Sequence, residues 1–139
     1  MNAKPWGLGL FLFLILTINT LPRAHAAVFG VKNFNELIVA LIEALPGDTI
    51  LLEDGVYPIA GTWAVQVYTD NLTIRGASGN RESVIIEGWG MNGQSHHGFY
   101  VNADHVTIAD LTVQNVRNHC IQTGVDADHL LVRNCILRD

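Results

Sequence analysis

The chain has 139 residues, 49% of them hydrophobic, with 8 basic against 13 acidic residues and a formal net charge of −5 at neutral pH. That length suits one modest domain. An acidic balance opposes nucleic acid and other polyanions unless a local basic cleft or a bound cation reverses the field, so no nucleic-acid partner is expected and cations are admitted as partners.

The N-terminus reads as an export signal. Lys4 precedes an apolar run from Leu8 to Ile18, 11 residues and too short to cross a hydrocarbon core of about 30 Å as a helix. Ala24-His25-Ala26 then places small residues where a signal peptidase reads. Residues 1–26 are therefore expected to be a signal peptide and 27–139 the mature chain, secreted or periplasmic, with no membrane contact after cleavage; an uncleaved anchor is the alternative. Without that segment Lys32, Arg75, Arg81, Arg117, Arg133 and Arg138 face 13 acids, a balance of −7.

Phe34, Leu37, Ile38, Leu41, Ile42 and Leu45 follow helical spacing, with Asn33 and Glu36 placed for a capping box and Pro46-Gly47 as a stop. Thr49 to Leu52, a turn at Glu53-Asp54-Gly55, and Val56-Tyr57 read as strand, turn, strand. Beyond them one pattern repeats. Ala64 to Gly76 aligns with Gly98 to Asp110 at an offset of 34 without a gap, and Ala103 to Asp110 aligns with Ala127 to Asn134 at an offset of 24. Cys120 to Thr123 aligns with Gly98 to Val101 at an offset of 22.

Alternation within each copy predicts three interior walls. Val65 and Val67, Phe99 and Val101, Ile121 and Thr123 form wall one; Leu72 and Ile74, Val106 and Ile108, Leu130 and Val132 form wall two. Leu111 and Val113, then Cys135 and Leu137, form wall three, with Val84 and Ile86 as its first rung. The fold class is all-β, a right-handed parallel β-helix whose first coil is capped by the N-terminal amphipathic helix. Gly76, Asp110 and Asn134 recur at one corner, where a left-handed backbone and amides bonded from coil to coil are expected. Ala77 to Ser83 and Gly88 to His97 account for the longer offset as insertions. An oxidising compartment admits a disulfide between Cys120 and Cys135, but the register puts them on different walls and favours small buried hydrophobes. The chain stops at Asp139 directly after an apolar strand, which predicts an N-terminal portion of a longer solenoid.

At this point the residues resemble the pectin lyase-like superfamily. Pro46 to Tyr57 is similar to its opening signature, Asn71 to Gly76 and His129 to Cys135 to its repeat units, and the recurring corner to its asparagine ladder. The resemblance implies a β-helix acting on polysaccharides, with an acidic glycan of pectate or alginate type and a lyase reaction foremost. A non-catalytic glycan-binding or surface β-helix, and a hydrolase or epimerase on the same fold, are the alternatives. No catalytic motif of the family is visible, and its catalytic residues are expected on coils beyond Asp139; the full-length protein is expected to be a monomer.

Outward positions supply candidate sites. Gln66, Tyr100 and Gln122 stack on the outer face of wall one with His97 and His119 just upstream, a ladder suited to stacking on sugars and to acid–base work near neutral pH. Trp89, with His96 and His97, lies in the long insertion, a usual place for binding residues. Arg117 and Arg133 are candidates for stabilising an enolate. Asp126 and Asp128, with Asp104, His105 and His129 nearby, offer ligands for Ca²⁺; turn capping by Asp70, Asp104 and Asp128 is the competing reading.

Overall fold

The computed structural model of the chain describes residues 25–138. Lys4, the apolar run and nearly all of the expected signal peptide lie outside the described residues. Among the described residues no helix is long and apolar enough to cross a membrane.

The elements in chain order are β1 (Val28–Val31), α1 (Phe34–Glu43), β2 (Thr49–Leu52), β3 (Gly55–Pro58), β4 (Val65–Val67), β5 (Thr73–Gly76) and β6 (Val84–Glu87). A 3-10 turn at Gly90–Asn92 follows, then β7 (His97–Val101), β8 (Thr107–Ala109), β9 (Thr112–Gln114), β10 (His119–Thr123), β11 (Leu131–Arg133) and β12 (Ile136–Arg138). The strands cycle through three sheets. Wall one is ordered β4-β7-β10, wall two β1-β2-β5-β8-β11 and wall three β3-β6-β9-β12, and every neighbouring pair is parallel. This is a parallel β-helix.

The repeats are the rungs. Val65 stands beside Phe99 and Phe99 beside Ile121, Ile50, Ile74, Ile108 and Val132 form one row, and Tyr57, Ile86, Val113 and Leu137 another. A strand pair of three residues holds few hydrogen bonds, so each rung depends on its inward side chains, each worth about 1.5–3 kcal/mol when fully buried. Ile74, Ile108, Phe99 and Val113 are wholly buried, whereas Val132 in β11 and Leu137 in β12 remain 38% and 47% exposed because no described rung lies above them.

α1 stands where walls three and one would have placed strands between β1 and β2. Asn33 caps it as expected: its side chain accepts from Glu36 N at 3.0 Å while Glu36 Oε2 accepts from Lys32 N at 2.9 Å. The helix packs against β1, β2 and β4. It buries Phe34, Leu37 and Ala40, with Ala44 just beyond its end, and leaves Ile42 and Leu45 of the expected apolar stripe exposed. The coil it covers is narrow, so only a thin stripe, partly alanine, fits against it.

Three further points depart from the sequence reading. β1 was not foreseen; its residues lie beside the expected cleavage site, with Val31 buried and Phe29 partly buried against the core. Wall three begins one rung earlier than Val84, since β3 pairs with β6 and sets Tyr57 beside Ile86. Gly76 does not adopt a left-handed backbone, unlike Asp110 (φ 58°) and Asn134 (φ 49°); glycine stands there because a Cβ would collide with the Asp110 carbonyl. The corner does bond between coils, with Asn134 Nδ2 donating to Asp110 Oδ1 at 2.8 Å and Arg75 pairing with Asp110 at 3.5 Å.

Cys120 and Cys135 are half-buried thiols on different walls, and no disulfide joins them. Cys135 Sγ donates toward Ile108 O at 3.7 Å, and burial raises the thiol above its usual range. Beneath the first coil, buried Asp48 accepts from Ala27 N at 2.6 Å and from Leu45 N at 2.8 Å, fastening the start of β1 and the end of the helix to one carboxylate.

Tyr57 is the largest side chain of wall three and is wholly buried, with its hydroxyl 2.8 Å from Val31 O and 2.9 Å from Glu53 O. Burial, followed by the charges of Glu53, Glu36 and Asp54, pushes its pKa up to about 12 from 10.0. The neutral phenol is therefore favoured by folding: its contribution is complete below pH 10 and is lost as pH rises toward 12. Tyr57→Phe should lower unfolding free energy at neutral pH by about 1–3 kcal/mol, since the one O–H donor that Val31 O and Glu53 O share is lost, and should flatten the alkaline fall between pH 10 and 12. Urea unfolding at neutral and alkaline pH checks both, and equal alkaline slopes for the two proteins would refute the assignment.

Candidate functional site

The outer face of wall one gathers aromatic and amide side chains from successive rungs. Period-2 alternation sends Val65, Val67, Phe99 and Val101 inward, so Gln66 and Tyr100 point out on adjacent rungs with Gln122 above them. Three residues earlier along β7 and β10, on the opposite parity, half-buried His97 is in register with His119, and their rings stack with centroids 5.3 Å apart at 17°. The expected ladder is assembled as its offsets of 34 and 22 required.

Two aromatics join it that the sequence reading did not include. Trp63 packs on Tyr100 with centroids 4.9 Å apart and meets His97 edge-on at 5.6 Å, and Tyr68 meets Tyr100 at 6.3 Å. Tyr68 was legible, since it follows Gln66 by two on the same outward parity. Trp63 was not, because it sits in a run of bends at 61–64 where strand parity does not apply. The amides are held in place: Gln66 Nε2 donates to Thr62 Oγ1 at 3.2 Å, and Tyr68 donates to Gln66 Oε1 at 3.0 Å.

At the β4 end this face runs into a cleft of about 790 Å³ between α1 and the chain around 60–69, lined by Ile38, Ile42, Ala60, Thr62, Gln66 and Tyr68. Exposed Ile42 and Tyr68 form its lips. The helix flank left uncovered by the narrow coil is thus continuous with the aromatic ladder.

His97 is electrostatically distinct from its neighbours. Burial first, then the nearby His119 and His96 rings, lowers its pKa below 6.5. It is therefore neutral at neutral pH. Its Nδ1 is buried without a hydrogen-bond partner among the described residues.

The other sequence candidates are dispersed. Trp89 is exposed with a left-handed backbone (φ 67°), and among the described residues no ring contact joins it to the ladder. Its loop is folded down at the corner by Ser95 Oγ donating to Gly88 O and Gly93 N donating to Gly90 O at 3.0 Å. Arg117 is on the stretch leading into β10, its N–H 3.4 Å from Ser95 O, whereas Arg133 is on wall two beside Ala109 and apart from the histidines of wall one. Asp126 forms a reciprocal pair with Asn102 on the preceding coil, at 3.0 and 3.2 Å, and Asp128 presents its carbonyl to His105 N at 3.0 Å. Asp104 accepts within its own turn, from His105 N at 3.0 Å, whereas Asp70 accepts from Asp104 N on the next coil at 2.8 Å and so links coils instead of capping its own turn.

Fold and site together define a parallel β-helix protein with an aromatic and amide ladder on one wall. Comparison of the chain with models of protein families, with curated proteins and with solved structures finds no match.

If the His97 ring is suppressed by burial and by its stacked partner, its midpoint in a histidine NMR titration should lie below 6.5, and His119→Gln should move it upward. The unfolded chain then binds a proton that the folded chain resists, so His97 draws stability away as pH falls below 6.5 through its folded midpoint. A midpoint at or above 6.5 would contradict the environment described.

Proposed function

We propose that this chain is a secreted, polysaccharide-acting β-helix protein that holds a glycan against the outer face of wall one. The observation that carries the reading is the packed set Trp63, Tyr68 and Tyr100, bracketed by Gln66 and Gln122. Sugar rings present apolar C–H faces to aromatic rings and hydroxyls to amides, and this face supplies both on a scaffold fixed by strand pairing. The ladder itself carries no carboxylate, which suits an acidic glycan of pectate or alginate type despite the acidic chain as a whole.

Neutral His97 favours a second step beyond binding. An imidazole unprotonated at neutral pH, stacked beside His119 at the margin of the ladder, fits the base of a β-elimination that removes the proton next to a uronate carboxylate. The electrons of that C–H bond form the enolate, and its collapse expels the oxygen at the neighbouring carbon as leaving group. Arg117 is the cation of this chain closest in sequence to His119 and is assigned the enolate. Without that step the protein is a glycan-binding module.

The test is a calorimetric and tryptophan-fluorescence titration of the full chain with pectate, alginate, chondroitin and a neutral polymer, with and without Ca²⁺, alongside absorbance of the unsaturated product. Trp63→Ala and Tyr100→Ala should each weaken binding roughly twofold to tenfold, the equivalent of about 0.5–1.5 kcal/mol for an aromatic stacking pair. Failure to bind any polymer would dispose of the proposal. Binding without unsaturated product would remove only the lyase step.

A further inference from the structure

A second cluster lies away from the ladder, at the corner leading into wall two. Asn71, His105 and His129 occupy equivalent positions on three successive coils, and all three have a left-handed backbone, with φ of 53°, 55° and 54°. Such a conformation costs an L-residue roughly 1–2 kcal/mol and is usually met by glycine or asparagine. Here two of the three places are taken by histidine. The strain turns both side chains the same way, so the imidazoles stack with centroids 4.4 Å apart and 14° between planes.

Both rings aim Nδ1 at one carboxylate. His105 Nδ1 lies 2.9 Å from Asp104 Oδ2, and His129 Nδ1 lies 3.3 Å from Asp104 Oδ1. The carboxylate is itself anchored through its backbone, Asp104 N donating to Asp70 Oδ1 at 2.8 Å. The three ligand atoms all fall within 4.8 Å of one another. Two donors on a Zn²⁺ ion at about 2.0–2.1 Å can be no more than about 4.2 Å apart. Tetrahedral ligands at that bond length stand about 3.4 Å apart, so closing the cluster on a metal requires the widest pair to approach by up to about 1.4 Å, which side chains 60% and 69% exposed can make.

We propose that Asp104, His105 and His129 form a binding site for a divalent late transition-metal ion, of which Zn²⁺ is the representative. Two imidazole nitrogens and one carboxylate oxygen suit Zn²⁺, Cu²⁺ or Ni²⁺, whereas Ca²⁺ takes six to eight oxygens that this corner does not gather. In the bound form each imidazole carries its proton on Nε2 and gives the Nδ1 lone pair to the metal. Exposure on the solvent side leaves the fourth tetrahedral position to water. A purely structural ladder, in which the stacked rings only donate to Asp104, is the rival account.

Asn71 supplies the discriminating substitution, because asparagine already occupies this corner with the same backbone. His105→Asn with His129→Asn should keep the melting temperature within a few degrees of the parent and lower Zn²⁺ affinity tenfold or more. Asp104→Asn, which retains an acceptor oxygen, should also lose affinity. Calorimetric titration of the metal-free full chain should show one equivalent of Zn²⁺ bound and no comparable response to Ca²⁺, with NMR shifts centred on His105 and His129. The proposal is overturned if the parent takes up no Zn²⁺, if Ca²⁺ binds as tightly, or if the double variant binds as the parent does. Glycan titration reports on Trp63 and Tyr100, so failure of the metal site and failure of the glycan reading are separately visible.

Discussion

Stacking of like residues from rung to rung is the constraint on which every other feature depends. A strand of three or four residues cannot hold itself; it persists because its inward side chains sit between those of the coil below and the coil above. Ile50, Ile74 and Ile108 in wall two, and Tyr57, Ile86 and Val113 in wall three, are wholly buried for this reason. A one-residue slip would turn each such row outward. Register is therefore energetically specified in the walls, and the chain's variation in length is confined to the corners.

The corners use that freedom in different ways. One closes on the Asn134–Asp110 bond with Arg75 alongside, another on the left-handed series Asn71, His105 and His129. On the outside of wall three Glu87 accepts from Gln114 at 2.8 Å and from Asn115 at 2.7 Å, and Gln114 accepts from Arg138 at 2.8 Å, so polar side chains repeat on the surface the stacking found in the core. Side chains on successive coils thus reach one another without any loop having to fold over them. Both side-chain clusters, the aromatic ladder and the histidine pair, are consequences of the same vertical alignment.

That alignment explains what the sequence disclosed and what it hid. Offsets of 34, 24 and 22 state which residues become neighbours, and so the repeat alone sets Gln66, Tyr100 and Gln122, as well as His97 and His119, beside one another. Residues outside the strands carry no such address. Trp63 reaches Tyr100 from a bend, Ile42 lies on a helix whose contact stripe is set by the width of the coil, and Trp89 is directed away by a local turn. Gly76 taught a related lesson: identity at a repeat position did not mean identity of backbone, because the glycine answers a collision and the Asp and Asn answer a torsion.

The substitution of α1 for strands gives the three walls unequal heights, with five described strands in wall two and three in wall one. Wall one is consequently a surface with direction. A flexible polymer laid along it meets the flank of the helix at the β4 end, where Ile42 and Tyr68 stand up around the cleft, and finds continuing strand face toward β10. Such a surface distinguishes the two ends of whatever lies on it, so orientation of a ligand would be decided by the cap of the solenoid and not by the ladder that grips it.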